Sequence, residues 1–268
     1  MGLLNGKVAI ITGAGNGLGA AYARAFGAEG AKVLVNDLGG ARDGSGGSIG
    51  PAQQVVDDIT AAGGEAVANG NDVSTMEGGQ AIFDQAMKEW GRVDILVNNA
   101  GILRDETFHK GTEANWDLVM KVHLKGTYCC TKPVFEWMRA NGGGTIVNTS
   151  STSGLLGNFG QSNYGAAKGG IYGLTRVLAI EGRKYGIKVM CMSPSALTRM
   201  TEDLPRYREL AEAEEGFPVA GLPDTIAQSM VYMCSDLCGM DKSGKVMHVG
   251  RPGIAELKAV RSDGRDPD

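Results

Sequence analysis

Lys7-Val-Ala-Ile-Ile-Thr12-Gly-Ala-Gly-Asn-Gly-Leu-Gly19 opens as an unbroken apolar run and then breaks into alternating glycines. A short continuous apolar run bounded by a glycine turn reads as a strand buried on both faces. The pattern over residues 18–29, closed by Gly30, reads as a helix. Strand, glycine turn and helix in this order make a phosphate cradle. Gly13, Gly17 and Gly19 remove side chains that would hold the backbone off a pyrophosphate or the helix off the strand, and the helix N-terminus presents unpaired N–H groups and positive potential. Asn16 and Leu18 share the turn and join the glycines as candidate cofactor contacts. The spacing departs from GxGxxG, since Leu18 stands where the third glycine would fall.

The cycle recurs outward from this stretch. Strands are expected at residues 7–12, 32–36, 65–68, 93–97, 144–149, 188–192 and 245–249, and helices at 18–29, 51–62, 75–90, 112–140, 164–185 and 223–235. Continuously apolar strands alternating with helices imply an α/β, doubly wound Rossmann-type domain with a parallel sheet covered on both faces. The 268 residues, 43% of them hydrophobic, suit one large domain over 1–250. No proline-rich linker, repeat or long like-charge run divides them. The tail, 251–268, is polar and carries no pattern that assigns it an element.

Composition narrows the function classes. With a net charge of −4 and 26 dispersed basic residues, the chain has no electrostatic footprint for nucleic acid and an anionic surface unsuited to membranes. Its apolar runs are strand-sized and its first residues lack a secretory h-region, so a cytoplasmic protein is expected. Five cysteines without a Cys-x-x-Cys pair and three scattered histidines exclude a zinc site and fit buried thiols in a reducing compartment, so no metal is expected.

Ligands of doubly wound sheets lie beyond the carboxyl ends of the strands, so residues just after strands carry the most weight. Asp37 ends the second strand, eighteen residues past Gly19. Its carboxylate would accept ribose hydroxyls and repel a 2′-phosphate, which favours NAD over NADP; Arg42, in the loop that follows, is the residue that could reach round to a phosphate. Asp72 and Val73, after the third strand, are candidates to hold the adenine, although an Asx pair there also forms turns. Asn98-Asn-Ala-Gly101 after the fourth strand places Asn99, Ala100 and Gly101 at the switch point, with strand-locking and cofactor-lining roles equally open. Tyr164 and Lys168 stand one helical turn apart, thirteen residues after Ser151, the spacing of an alcohol dehydrogenation site. A phenol with a free pKa of about 10 needs a fixed cation to serve as a base near neutrality, and Lys168 supplies one.

TGxxxGxG, NNAG and Ser followed by YxxxK, in this order, resemble the short-chain dehydrogenase/reductase family over residues 5–250. The resemblance implies a single Rossmann-type sheet of seven parallel strands, with assembly into homodimers or homotetramers through the two long helices. Residues 36–40, 98–105, 157–161, 181–184 and 195–201, with the glycine-rich insertion at 38–50, are similar to a subgroup, the (3R)-hydroxyacyl-CoA dehydrogenase domains of peroxisomal multifunctional enzymes, also called 17β-hydroxysteroid dehydrogenase type 4. A free-standing bacterial-type relative is expected. The family's helix asparagine is His123 here, as in that subgroup. It is read either as keeping the asparagine's backbone role in a water chain to the lysine or as a buried helix histidine. Pro194-Ser195 replaces the usual Pro-Gly of the loop over the nicotinamide, leaving Pro194 a cofactor contact and placing a serine where glycine's φ > 0 freedom would be lost.

The expected mechanism has Tyr164 as tyrosinate taking the hydroxyl proton while hydride passes to the nicotinamide. Lys168 and the positive nicotinamide ring support the tyrosinate, Lys168 also grips the nicotinamide ribose, and Ser151 orients the substrate oxygen. Substrate selection is expected from residues 195–221, where apolar side chains among arginines suit an acyl or sterol skeleton carrying CoA phosphates, a pattern an amphipathic surface helix also shows. The substrate is therefore read as a small molecule, a fatty or steroid-derived 3-hydroxyacyl-CoA. Two alternatives stand beside it: a hydroxysteroid or other secondary-alcohol dehydrogenase, and a non-catalytic NAD-binding protein that would bind NADH and oxidise nothing.

Overall fold

Side-chain alternation along the strands sorts the core into two layers. Ala9, Ile11, Val33, Val35, Ile95 and Val97 face one side of the sheet, and Ile10, Leu34, Leu96, Ile146 and Val189 face the other. Ile10, Ile11, Leu34 and Leu96 are fully buried. Each such side chain stabilises the fold by about 1.5–3 kcal/mol relative to exposure. The structure, a computed structural model, describes residues 2–196, 222–250 and 253–260.

The strands are β1 (Val8–Thr12), β2 (Lys32–Asn36), β3 (Glu65–Asn69), β4 (Ile95–Asn98), β5 (Gly144–Thr149), β6 (Ile187–Pro194), β7 (Val246–Val249) and β8 (Ile254–Leu257). Their order in the sheet is β3-β2-β1-β4-β5-β6-β7-β8. The first seven pair in parallel, as the buried apolar runs require. The sheet nevertheless has eight strands where seven were expected, because β8 folds back antiparallel on β7. At four residues, Ile-Ala-Glu-Leu, with a charge in the middle, it is too short to announce itself as an apolar run; Glu256 faces Lys245 (3.4 Å) and Lys258 (3.6 Å) at the sheet edge.

One sheet face is covered by α1 (Gly17–Ala28), α2 (Gly50–Ala61) and α8 (Pro223–Cys234). The other is covered by α3 (Met76–Trp90), α5 (Gly126–Ala140) and α7 (Ser162–Gly182). The continuous helix expected over 112–140 is divided. Thr112 caps α4 (Glu113–Met120) by accepting from Asn115 N (3.2 Å), a π-helical turn follows at Lys121–Lys125, and only then does α5 begin. The Gly126 N–H bonds to the carbonyl of Lys121, five residues back. Such a turn shifts the helix register, and π turns recur at functional sites.

Strand order reverses between β1 and β4, which pair with each other at the centre of the sheet. Their carboxyl ends therefore face the crevice where ligands of such sheets bind. Short α6 (Ser153–Leu156) and the start of α7 lie beyond the end of β5 on the same side.

Candidate active site

The glycine turn is shaped by contacts that admit no side chain. Gly13 has φ 63°, and a Cβ there would lie 2.6 Å from Ala100 Cα; one on Gly19 would lie 2.1 Å from Gly13 O. Thr12 clasps the switch point, its Oγ1 accepting from the N–H of Asn99 (3.0 Å) and Ala100 (3.1 Å). Asn99 Nδ2 in turn donates to Thr12 O (3.1 Å) and Gly13 O (3.0 Å). Asn98 locks the layer below: its Nδ2 donates to Thr131 Oγ1 (2.9 Å) and Asn148 Oδ1 (2.8 Å), while Asn148 donates to Thr175 Oγ1 (2.9 Å). This buried amide chain ties α5, β4, β5 and α7 together. Strand locking is thus the visible work of both asparagines, and Asn99 also lines the cleft.

Asp37 is oriented by the same turn. Its Oδ2 accepts from Gly15 N (2.8 Å) and its Oδ1 from Gly39 N (2.7 Å), which fixes a carboxylate at the cleft wall. Asp72 closes an Asx turn, accepting from Ser74 N (2.9 Å) and Ser74 Oγ (2.8 Å), so the turn-forming role is present while its residue still lines the cleft with Val73. The insertion after β2 reaches across to the segment beyond β4: Leu103 N donates to Arg42 O (3.1 Å) and Arg104 Nε to Asp43 O (2.7 Å).

The opposite wall carries the groups expected to react. Lys168 is 3% exposed, its Nζ donates to Thr149 O (2.6 Å) and sits 5.5 Å from the Tyr164 ring centroid, and burial lowers its pKa to about 8. His123, in the π turn, packs edge-on against Tyr164 with ring centroids 5.2 Å apart. Burial, reinforced by the Lys168 charge, pushes its pKa down to about 3, so it is neutral. Its Nε2 meets both polar groups of Ile102, within 3.1 Å of the N–H, from which it accepts in one tautomer, and 2.8 Å of the carbonyl, to which it donates in the other. A Cβ on Gly101 would lie 2.3 Å from His123 Cε1, so the glycine makes room for the ring. The side chain is that of a buried helix histidine, and the His123 carbonyl lies in the π turn, accepting from Thr127 Oγ1 (2.8 Å).

Ser151 Oγ accepts from Ser153 N (3.1 Å) and lies 3.3 Å from Ser153 Oγ. Ser153 Oγ donates to Gln161 Oε1 (2.7 Å), and Gln161 Nε2 donates to Asp105 Oδ2 (2.7 Å). Burial raises the Asp105 carboxyl above the usual range, opposed by the Gln161 bond and the charge of Arg42. Ser195 needs no positive φ, since no non-glycine residue among those described has one; its N–H donates to Val249 O (2.7 Å). The expected substrate segment from 197 to 221 lies outside the described residues.

A single cleft of about 410 Å³ is bordered by every proposed site residue. The cradle residues Gly13, Asn16, Gly17, Leu18 and Gly19 form one end, with Asp37, Asp72 and Val73 beside them. Asn99, Ala100 and Gly101 form the floor, and His123, Ser151, Tyr164, Lys168 and Pro194 the far end. Sequence reasoning missed Ile102, Leu118, Thr149 and Ser150, which also line it, and the supporting Ser153, Gln161 and Asp105. Thr12 was legible as a hydroxyl directly before the turn; Asp105 and Gln161 fell within the stretches that carried the subgroup resemblance.

The residues fit a dinucleotide. Gly17 (φ 54°) has open space where a side chain would go, and Asn16, the N-cap of α1, makes no side-chain cap bond, so the helix N-terminus keeps its N–H groups for a phosphate. Thr149 Oγ1 and His123 Nδ1 are buried polar atoms without hydrogen-bond partners, in residues that border the cleft. No cluster of metal-binding side chains occurs among the described residues. The cysteines are buried, and burial pushes the thiols up, Cys191 to about 11 and Cys130 to about 12, which favours the protonated form over the thiolate. No helix among the described residues is long and apolar enough to cross a membrane.

Comparison with known proteins agrees with this geometry. A family model described as short chain dehydrogenase matches residues 7–208. The chain is 44% identical over 97% of its length to the peroxisomal multifunctional enzyme type 2 of Drosophila melanogaster, of which it spans 41%. It is 35% identical to a (2S)-[(R)-hydroxy(phenyl)methyl]succinyl-CoA dehydrogenase subunit of Thauera aromatica, covering 93% of this chain and 96% of that one. Among solved structures, a 7α-hydroxysteroid dehydrogenase complexed with NADH and 7-oxo glycochenodeoxycholic acid superposes with TM-score 0.83 at 30% identity, covering 95% of this chain and 97% of the other.

Proposed function

The chain belongs to the short-chain dehydrogenase/reductase family, and from that premise we propose that it oxidises the hydroxyl of a fatty or steroid-derived 3-hydroxyacyl-CoA to the 3-oxoacyl-CoA, with NAD as its cofactor. One observation carries the reading: a buried ammonium, Lys168, stands against Tyr164 in a cleft whose other end is a phosphate cradle. A nicotinamide dinucleotide, when bound, supplies the hydride acceptor.

Tyr164 takes the proton from the substrate hydroxyl. Lys168 favours the ionised phenol, because a cation held out of water acts through a low effective dielectric. Ser151 hydrogen-bonds the substrate oxygen. For the reverse reduction Tyr164 is the acid, so the same groups serve both directions. NAD is preferred on the ground that the Asp37 carboxylate would meet a 2′-phosphate with like charge, while the charge of Arg42 acts on Asp105 toward the other end of the cleft.

The CoA ester is supported by the Thauera relative, whose name gives a hydroxylated succinyl-CoA as its substrate. A hydroxysteroid is the second reading, favoured by the steroid in the superposed dehydrogenase. Cytoplasmic residence and a homodimer or homotetramer built through the long helices belong to the same proposal. Exposed Val177 and Ile180 on α7 and Tyr128 on α5 support that assembly.

A panel of 3-hydroxyacyl-CoAs, free 3-hydroxy acids and hydroxysteroids, each with NAD and NADP and followed by reduced-cofactor fluorescence, tests the reading. The CoA esters with NAD are expected to give the highest kcat/KM; far more efficient turnover of a free steroid or simple alcohol would overturn the substrate. Tyr164→Phe is expected to bind NADH normally and to lose turnover by orders of magnitude, and normal turnover in that variant would overturn the chemistry.

A further inference from the structure

Behind Ser151 runs a chain of hydrogen bonds whose direction is fixed from its far end. The ionised Asp105 carboxylate, beside the charge of Arg42, only accepts, so Gln161 turns its Nε2 toward it (2.7 Å) and its Oε1 toward Ser153. Asn158 Nδ2 donates to the same Oε1 (3.0 Å), which holds the amide in that orientation. The Ser153 hydroxyl therefore spends its single proton on Gln161 (2.7 Å) and offers Ser151 only lone pairs. In the 3.3 Å Ser151–Ser153 contact, Ser151 must be the donor. Ser151 Oγ is held in place independently by the Ser153 N–H (3.1 Å).

We infer that Gln161 and Ser153 are positioning residues that keep the Ser151 hydroxyl turned away from a neutral substrate and release it to a charged one. The inference rests on the reading of Ser151 as the substrate's hydrogen-bond partner. A hydroxyl contact of 3.3 Å is long and weak, so the O–H bond of Ser151 swings easily. A neutral alcohol would only replace one neutral hydroxyl acceptor by another, so it gains little by drawing the bond away from Ser153. An oxygen gaining negative charge as its proton leaves for Tyr164 accepts roughly twice as strongly, and takes the bond. The Ser151 interaction then forms mainly in the transition state, where it raises kcat and not affinity.

The test uses 3-hydroxybutyryl-CoA with NAD, or the panel's fastest alcohol if only that is turned over. Ser153→Ala frees the Ser151 proton for the ground-state alcohol, so KM and kcat should both fall severalfold with kcat/KM nearly unchanged. Gln161→Glu sets two carboxylates against each other and should lower kcat about tenfold, with NADH affinity retained. Asp105→Asn added to Gln161→Glu restores every donor and acceptor with identities exchanged, and should recover most of the loss. A higher KM at unchanged kcat in Ser153→Ala, or a double variant as impaired as Gln161→Glu, would overturn the inference. If Gln161→Glu does not fold, the KM-against-kcat split of Ser153→Ala decides alone. Ser151→Ala separates the premise: full turnover in that variant removes the reading of Ser151 and the inference with it. Lost turnover there, with wild-type constants in the other variants, removes only the inference.

Discussion

Replacing Lys168 with Met should make the apoprotein more stable and inactive at once. The ammonium is buried at 3% exposure, and burial lowers its pKa from 10.5 to about 8. At about 1.36 kcal/mol per unit, holding that charge inside costs the fold about 3 kcal/mol near neutral pH. Methionine keeps most of the stem and removes the charge. Thr149 O loses its donor, a loss of about 1 kcal/mol, which leaves the variant ahead by about 2 kcal/mol. Because the folded pKa lies below the unfolded one, both states are protonated below about pH 8 and the penalty is fully present there. Between about 8 and 10.5 the unfolded chain binds more protons, so the wild type gains stability as pH rises and the difference closes. Urea unfolding of both apoproteins across this range measures the gap, and the same preparations are assayed for turnover. A variant less stable than wild type at pH 7, or a gap that does not narrow above pH 8, would refute a buried, strained cation as the support for Tyr164.

Other perturbations probe the cofactor end and the floor of the cleft. Asp37→Asn keeps an acceptor for the turn but drops the charge, so the NAD-over-NADP preference in kcat/KM should shrink by about tenfold; an unchanged preference would show that Asp37 does not choose the cofactor. Gly101→Ala would place a Cβ 2.3 Å from His123 Cε1 and should cost about 1–3 kcal/mol in urea unfolding. The cost should disappear when measured in a His123→Ala background, and an equal cost in both backgrounds would exclude the ring as its cause.

The parts legible in the sequence are those where chemistry demands a residue type at a fixed local spacing. The glycine turn directly after β1 and the Tyr164–Lys168 pair one helical turn apart could be read off with the parallel sheet that carries them, and the structure brings both to one cleft, where the roles of cradle and base are proposals. What stayed hidden depends on register or on distant partners. The π turn at Lys121–Lys125 is a change of hydrogen-bond register, from four residues to five, and no glycine, proline or cap residue within it marks the break. β8 is a four-residue edge strand interrupted by Glu256, whose pairing is decided by β7 and not by its own composition. Gln161 and Asp105 are hydrogen-bonded across 56 positions of sequence, and the direction of the chain behind Ser151 exists only once they meet.

Residue 123 shows why such positions resist reading one at a time. Taken singly, a histidine where the family has asparagine is a departure to be explained by its side chain, and Gly101 is a contact for the cofactor. In the fold they occupy one volume: the imidazole fills the space a Cβ at 101 would need, and its Nε2 hydrogen-bonds the backbone of Ile102 in the segment that leads to Asp105. The buried neutral ring then supports the edge of Tyr164 without adding a charge beside Lys168. The glycine and the histidine are therefore one feature of the site, and substitution at either has to be judged against the other.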